Sequence, residues 1–178
     1  MKYFDELKRA MTWLGQKPDT LFLGQAVSYP GTGMTNTLSD IEKSKLLEMP
    51  VNEDMQMGMT LGMALNGTVP ISIYPRWNFL LLAANQVVNH LDKMQDMSKG
   101  DMKPKVIIRV AIGSKVPFSA GPQHTQNHTE AVRQMLTEVE VVELTEPDQI
   151  FEAFKTAYER EDGKSTLIIE HSEYYGTK

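Results

Sequence analysis

Apolar positions along this chain alternate between two periods, and the alternation predicts the elements. Residues 3–14 put Phe4, Leu7, Met11 and Leu14 on one stripe at helical spacing, and residues 20–27 (TLFLGQAV) form the short apolar run of a buried strand. Helical spacing returns over residues 53–66, where Asn66-Gly67 is expected to stop the helix in the left-handed conformation. A strand is predicted at 69–74, then a long helix at 77–94 with Leu80, Ala84, Val87, Val88 and Leu91 on its core stripe, then a third strand at 105–112 (KVIIRVAI). The last third repeats the order, with helices at 126–136 and 147–160 and strands at 139–144 and 166–170. Turn formers crowd residues 28–36 (SYPGTGMTN) and 113–123, which are expected to be loops leaving the carboxyl ends of strands.

Strands alternating with helices of this length imply an α/β fold. The expected architecture is a three-layer sandwich, with a mainly parallel central sheet and helices on both faces. In such sheets, sites form beyond the carboxyl ends of the strands. The segments near Gln25, near Pro75 and over residues 113–128 all follow predicted strands.

Composition narrows what such a fold can do. With 178 residues, 41% of them hydrophobic, and nine prolines and twelve glycines dispersed without a linker, one domain spanning 1–178 is expected. The net charge of −5, from 18 basic and 23 acidic residues in no long blocks, lacks the clustered cations of a phosphate-backbone binder, so nucleic acid is not an expected partner. The absence of cysteine excludes a disulfide framework, a thiolate zinc site and a cysteine nucleophile. The start (MKYFDELKRAMTWLGQ) lacks the apolar run of a signal peptide, and no stretch approaches the ~20 apolar residues of a membrane span. The resulting expectation is a cytoplasmic protein without a membrane partner.

The segment from Met49 to Gly67 carries the first candidate chemistry. Glu53 opens a helix behind the N-cap residue Asn52, where a carboxylate gains roughly 0.3–1 kcal/mol from the macrodipole. The rest of that helix (Met55, Met57, Met59, Leu61, Met63, Leu65) is apolar nearly all round, which predicts a buried element. Burying a carboxylate is costly unless it meets a partner. Gly58 and Gly62, five and nine positions after the Glu, are read as close packing of this helix on the sheet. His124 and His128 are four apart, but with no Glu beside the first and no third ligand they do not predict a metal site.

Taken in order, Pro50-x-x-Glu53 with its two glycines, a Pro-bearing strand and Trp77-Asn78-Phe79 resemble the pyrimidine-binding domain of thiamine-diphosphate enzymes. The resemblance is above all to the beta subunit of 2-oxo acid dehydrogenase decarboxylase components of the pyruvate, branched-chain and acetoin types. Ala120 to Gln126 (AGPQHTQ) and Ile168 to Gly176 (IIEHSEYYG) are similar to two further segments of that subunit, so the resemblance covers nearly all of the chain. It implies the thiamine-diphosphate-binding fold of pyrimidine type. It also implies that Glu53 contacts N1′ of the cofactor's aminopyrimidine and stabilises the imino tautomer whose 4′-nitrogen removes the thiazolium proton. Phe79 would pack on the pyrimidine ring, Trp77 and Asn78 would shape the loop around it, and Met55 and Gln56 would border the pocket. His124 would face the reacting carbonyl, a task suited to a side chain with an unperturbed pKa of about 6.5.

Two departures qualify what the resemblance implies. Gln25 stands where the family usually has an acid joining a polar network between active sites, and an amide hydrogen-bonds without relaying a proton as an acid does. The Gly-Asp-Gly motif and following Asn that hold the diphosphate and Mg²⁺ are missing, and in the family the beta subunit continues into a further carboxyl-terminal domain. The implied arrangement is a split enzyme in which a diphosphate-binding alpha-type subunit completes the site, as a heterotetramer or around a homodimer core, and acts on a small 2-oxo acid. Two other functions fit the same residues: a non-catalytic binding or regulatory module, and a transketolase-like ketol transferase. The Gln123-His124-Thr125-Gln126 segment favours the dehydrogenase branch.

Overall fold

The computed structural model describes residues 2–178. The chain runs α1 (Tyr3–Gly15), β1 (Thr20–Gly24), α2 (Gly33–Asn36), β2 (Leu46–Glu48), α3 (Glu53–Leu65), β3 (Val69–Tyr74), α4 (Trp77–Leu80), α5 (Met94–Met97), β4 (Ile107–Ile112), α6 (Thr129–Met135), β5 (Glu140–Glu143), α7 (Pro147–Glu159) and β6 (Thr166–His171). The six strands form one sheet in the order β2-β1-β3-β4-β6-β5, every pair parallel. The expected α/β architecture is therefore present.

Strand alternation sends side chains to two cores. On one face, Phe22, Ile71, Ile107 and Ile168 meet Leu7, Met11 and Leu14 of α1 and Ile150 and Phe154 of α7. On the other, Tyr74, Ile108, Val110, Leu167 and Ile169 meet Met57 and Leu61 of α3, the helical run after β3 and Val132 of α6. The central strands β3 and β4 are buried throughout, as both-face coverage of a parallel sheet demands. Between them and β6 lies one buried ion pair: Arg109 Nε and Nη2 donate to the Glu170 carboxylate at 2.6 and 2.9 Å, and Arg109 Nη1 donates to Thr37 Oγ1 at 2.8 Å.

Several expected boundaries move, each for a local reason. The strand expected at 20–27 ends at Gly24, because Ala26 takes a positive φ of 56° and the amides of Ala26, Val27 and Ser28 turn to the Glu48 carboxylate. The loop expected at 28–36 contains α2, capped by Thr32. The edge strand β2 is three half-buried residues, too short to show a period. The helix expected to start at 126 starts at Thr129, whose amide is taken by Asn127 Oδ1 at 3.0 Å. At Gly67 the stop is as expected, with φ at 89°.

The long helix expected at 77–94 is not one α-helix. After α4 it tightens to a 3₁₀ turn (Leu81–Ala83), then widens to a π-helix (Gln86–Leu91), and α5 is a separate turn. The bond from the Asp92 amide to the Val87 carbonyl, 2.9 Å long, spans five residues and delivers Asp92 into the interior. There its carboxylate accepts from the amides of Thr137, Glu138 and Val139. Burial opposes its ionisation, but Lys93 and these amides hold its pKa below the usual carboxylate range.

The helix α3 is likewise not buried all round. Met55, Met59 and Leu65 are exposed, and a Cβ built on Gly58 or Gly62 would meet nothing within 4 Å. The two glycines therefore do not serve helix-on-sheet packing. Among the described residues no helix is long and apolar enough to cross a membrane.

Candidate active site

The carboxyl ends of β1, β2, β3 and β4 line one crest of the sheet, and the expected site residues fall along it in two groups. The first group is built by β1 and β2. Gly24 ends β1 where a Cβ would come within 2.5 Å of the Ile73 carbonyl oxygen, so only glycine lets β3 lie this close. The Met49 amide donates back to the Gly24 carbonyl at 2.9 Å, carrying the chain out of β2 beside β1. Asn52 then caps α3, its Oδ1 accepting from the Met55 amide at 3.0 Å, and Glu53 becomes the first helical residue.

Glu53 is only 4% exposed. Gln25 Nε2 donates to its Oε1 at 3.0 Å, and the Tyr74 hydroxyl donates to its backbone carbonyl at 3.4 Å. Burial, with the charges of Glu53 and Asp54 adding to it, raises the Tyr74 phenol well above its ordinary range. Among the described residues no cation pairs with Glu53, so a neutral amide is the side chain that meets its carboxyl group.

The second group is built by the segments after β3 and β4. Asn78 Oδ1 lies 3.0 Å from His124 Nδ1, and the Phe79 ring centroid lies 5.6 Å from that of His124 at a tilt of 44°. The His124 backbone is held in turn: its carbonyl accepts from the Gly113 amide at 3.1 Å, and its own amide donates to the Gly121 carbonyl at 3.2 Å. This approach needs glycine at 113, since a Cβ there would lie 2.3 Å from the His124 carbonyl oxygen. An imidazole oriented through Nδ1 presents Nε2 for exchange of a proton or a hydrogen bond.

The remaining expected residues are placed elsewhere. Gln56, expected at the pocket border, is buried, and its amide donates to Ser72 Oγ and the Ile73 carbonyl of β3, both at 3.1 Å. Trp77 is 1% exposed, lies in the core and meets His128 edge to face. Met55 belongs to the open face of α3. His128 Nε2 faces Gln126 Oε1 at 2.6 Å, so the two histidines serve different partners. Among the described residues no group of three or more His, Cys, Asp or Glu is arranged to hold a metal ion.

Two residues of the crest were not anticipated. Glu48 gathers the amides of Ala26, Val27 and Ser28 at 2.6, 3.0 and 2.9 Å and so fixes the turn carrying Gln25. Arg76 precedes Trp77-Asn78-Phe79 and lies beside Gly113. An acid ending an apolar run (LLE) and a cation following a buried strand (IYPR) were the available signals.

Comparison with known proteins agrees with the α/β fold. The chain matches the family model described as "Transketolase, pyrimidine binding domain" over residues 2–177. The pyruvate dehydrogenase E1 component subunit beta of Gracilaria tenuistipitata var. liui is 29% identical over 180 residues, covering 98% of this chain and 54% of the relative. That of Chaetosphaeridium globosum is 32% identical over 127 residues, covering 69% of this chain and 38% of the relative. The chloroplastic subunit beta-3 of Oryza sativa subsp. japonica is 26% identical over 182 residues, covering 98% and 44%. The chain thus spans about half the length, or less, of these curated relatives. A solved structure described as "Split gene transketolase, inactive beta4 tetramer" shares the fold at a TM-score of 0.70 and 17% identity, covering 94% of this chain and 50% of that one.

Proposed function

This chain belongs to the transketolase pyrimidine-binding domain family, and from that premise we propose that it is the pyrimidine-binding subunit of a split thiamine-diphosphate-dependent 2-oxo acid decarboxylase or dehydrogenase. The observation that carries the reading is Glu53: a buried carboxyl group at a helix start, met by an amide and by no cation. Such a group is stabilised by a ligand ring nitrogen that shares a hydrogen bond with it. Glu53 would hold the aminopyrimidine at that nitrogen, and Phe79 would offer its ring to the pyrimidine face. Thiamine diphosphate, when bound, supplies a ring carbon that adds to the substrate carbonyl and an electron sink that lets carbon dioxide leave.

The chain's own side chains divide the remaining work. Gln25 orients the Glu53 carboxyl through its amide and, having no acidic proton, does not relay one. Asn78 fixes the His124 ring, which would donate to or accept from the oxygen of the reacting carbonyl. No Gly-Asp-Gly motif occurs in the sequence, so the diphosphate and Mg²⁺ would be held by an alpha-type partner subunit. The open face of α3 (Met55, Met59, Leu65), with exposed Leu81 and Leu82, is the surface we assign to assembly, as a two-plus-two heterotetramer or around a homodimer core.

The test is reconstitution with a candidate diphosphate-binding partner, thiamine diphosphate and Mg²⁺, followed by decarboxylation of a panel of 2-oxo acids. Glu53→Gln should lower turnover by about two orders of magnitude or more, as loss of a positioned acid–base group does. Unchanged turnover in that variant would overturn the mechanism. Binding of the whole cofactor by this chain alone would overturn the split site.

A further inference from the structure

We infer that Arg76 reads the substrate, its guanidinium receiving an oxyanion that stays on the ligand away from the reacting carbon, so that this enzyme takes 2-oxo acids carrying a second negative charge. The inference rests on the reading of the site given above. Arg76 is placed by β3 and by the glycine at the end of β4: a Cβ built on Gly113 would lie 3.0 Å from Arg76 Nε and 2.3 Å from the His124 carbonyl oxygen. The arginine side chain and the histidine backbone thus converge on one glycine. Two and three residues further on stand Asn78, which orients the His124 ring, and Phe79, which lies against it.

The chain has five arginines. Four are paired with carboxylates: Arg9 with Glu6, Arg109 with Glu170, Arg133 with Glu130, and Arg160 with Glu140 and Asp162. Among the described residues Arg76 pairs with none, and its one hydrogen bond, from Nη1, goes to the neighbouring Pro75 carbonyl. The guanidinium carries five N–H donors in a planar fork suited to a carboxylate or phosphate, so a half-buried one on this crest is left with donors to spare.

Which anion it receives follows from the chemistry. A cation on the carboxylate that departs as carbon dioxide would stabilise the ground state and lose its partner as the bond breaks, which raises the barrier. An oxyanion that remains on the substrate is held equally before and during the reaction, so the contact lowers KM and leaves kcat nearly alone. The shared chemistry is a remote carboxylate or phosphonate. The probes that separate the two sources are 2-oxoglutarate and phosphonopyruvate, with pyruvate as the singly charged reference.

The experiment uses the protein assembled with its diphosphate-binding partner, thiamine diphosphate and Mg²⁺. In Arg76→Gln, kcat/KM for the preferred dianion relative to pyruvate should fall about tenfold or more, through KM, and Arg76→Lys should restore part of it. A ratio unchanged in Arg76→Gln, or an equal loss on pyruvate, would overturn the inference. Calorimetric binding of both dianions, compared between the assembled Glu53→Gln protein and Glu53→Gln/Arg76→Gln, gives a readout free of turnover. About tenfold weaker binding in the double variant supports the inference, and equal binding overturns it. Full turnover in Glu53→Gln alone would sink the proposed mechanism while leaving the Arg76 comparison to stand or fall by itself.

Discussion

Gln25 reaches Glu53 because Glu48 holds the turn beneath it. Three amides converge on one carboxylate there, and the turn they define includes Ala26 in the left-handed region, a conformation that costs free energy without such a brace. Glu48→Gln keeps one acceptor oxygen and puts an NH₂ group against donors, so it should lower stability by about 1–2 kcal/mol, read from denaturant midpoints. The same variant should broaden or shift the Gln25 side-chain amide signals in an NMR spectrum. A stable variant with an unmoved Gln25 would deny Glu48 this positioning role. Glu53, Phe79 and His124 were legible in the sequence because each lies in a short ordered motif. Glu48 and Arg76 were not, since the amides and the glycine that give them meaning come from other strand ends, and linear spacing carries no record of that approach.

At the scale of the element, α3 shows where a hydrophobic pattern misleads. A helix apolar nearly all round reads as buried, yet Met57, Leu61 and Ala64 enter the core while Met55, Met59 and Leu65 face outward. Composition does not separate a core face from a contact face, because both exclude water in the finished assembly. The glycines divide the two readings. With open space beside Gly58 and Gly62, alanine at either position should stabilise the isolated chain by about 0.5–1 kcal/mol, as Gly to Ala does in an exposed helix. If a partner backbone lies against this face, the same variants should weaken assembly, measured by sedimentation of the mixed subunits. Stabilisation with undiminished assembly would place the interface elsewhere. The run after β3 teaches a related lesson: its apolar stripe was legible, but the π-helix was not, because the widened turn is set by the amides of residues 137–139 that Asp92 must reach.

The whole molecule is tied at one point that the pattern of strands could not disclose. Lys-Val-Ile-Ile-Arg-Val-Ala-Ile reads as a buried strand with a cation in its middle, which calls for an anion without saying where it comes from. The fold supplies Glu170 from the neighbouring strand β6, Thr37 from the turn after α2, and the hydroxyl of Tyr175, which also donates to Glu170. Burial, with Glu170 adding to it, keeps that phenol far above its ordinary range, so it remains a donor at every physiological pH. The cluster therefore joins β4, β6, the α2 region and the segment after β6, although residues 37 and 175 are far apart in sequence. Removing either charge of the pair strands the other in a site that water does not reach. Arg109→Met should cost about 3–5 kcal/mol, whereas Arg109→Met with Glu170→Leu should recover much of the loss, since a paired charge exchanged for apolar volume is often neutral. Urea denaturation of the two variants decides the matter. A single variant as stable as wild type, or a double variant no better than the single, would show that the pair does not hold the sheet together, and that the packing of the two cores alone aligns the strand ends on which the site stands.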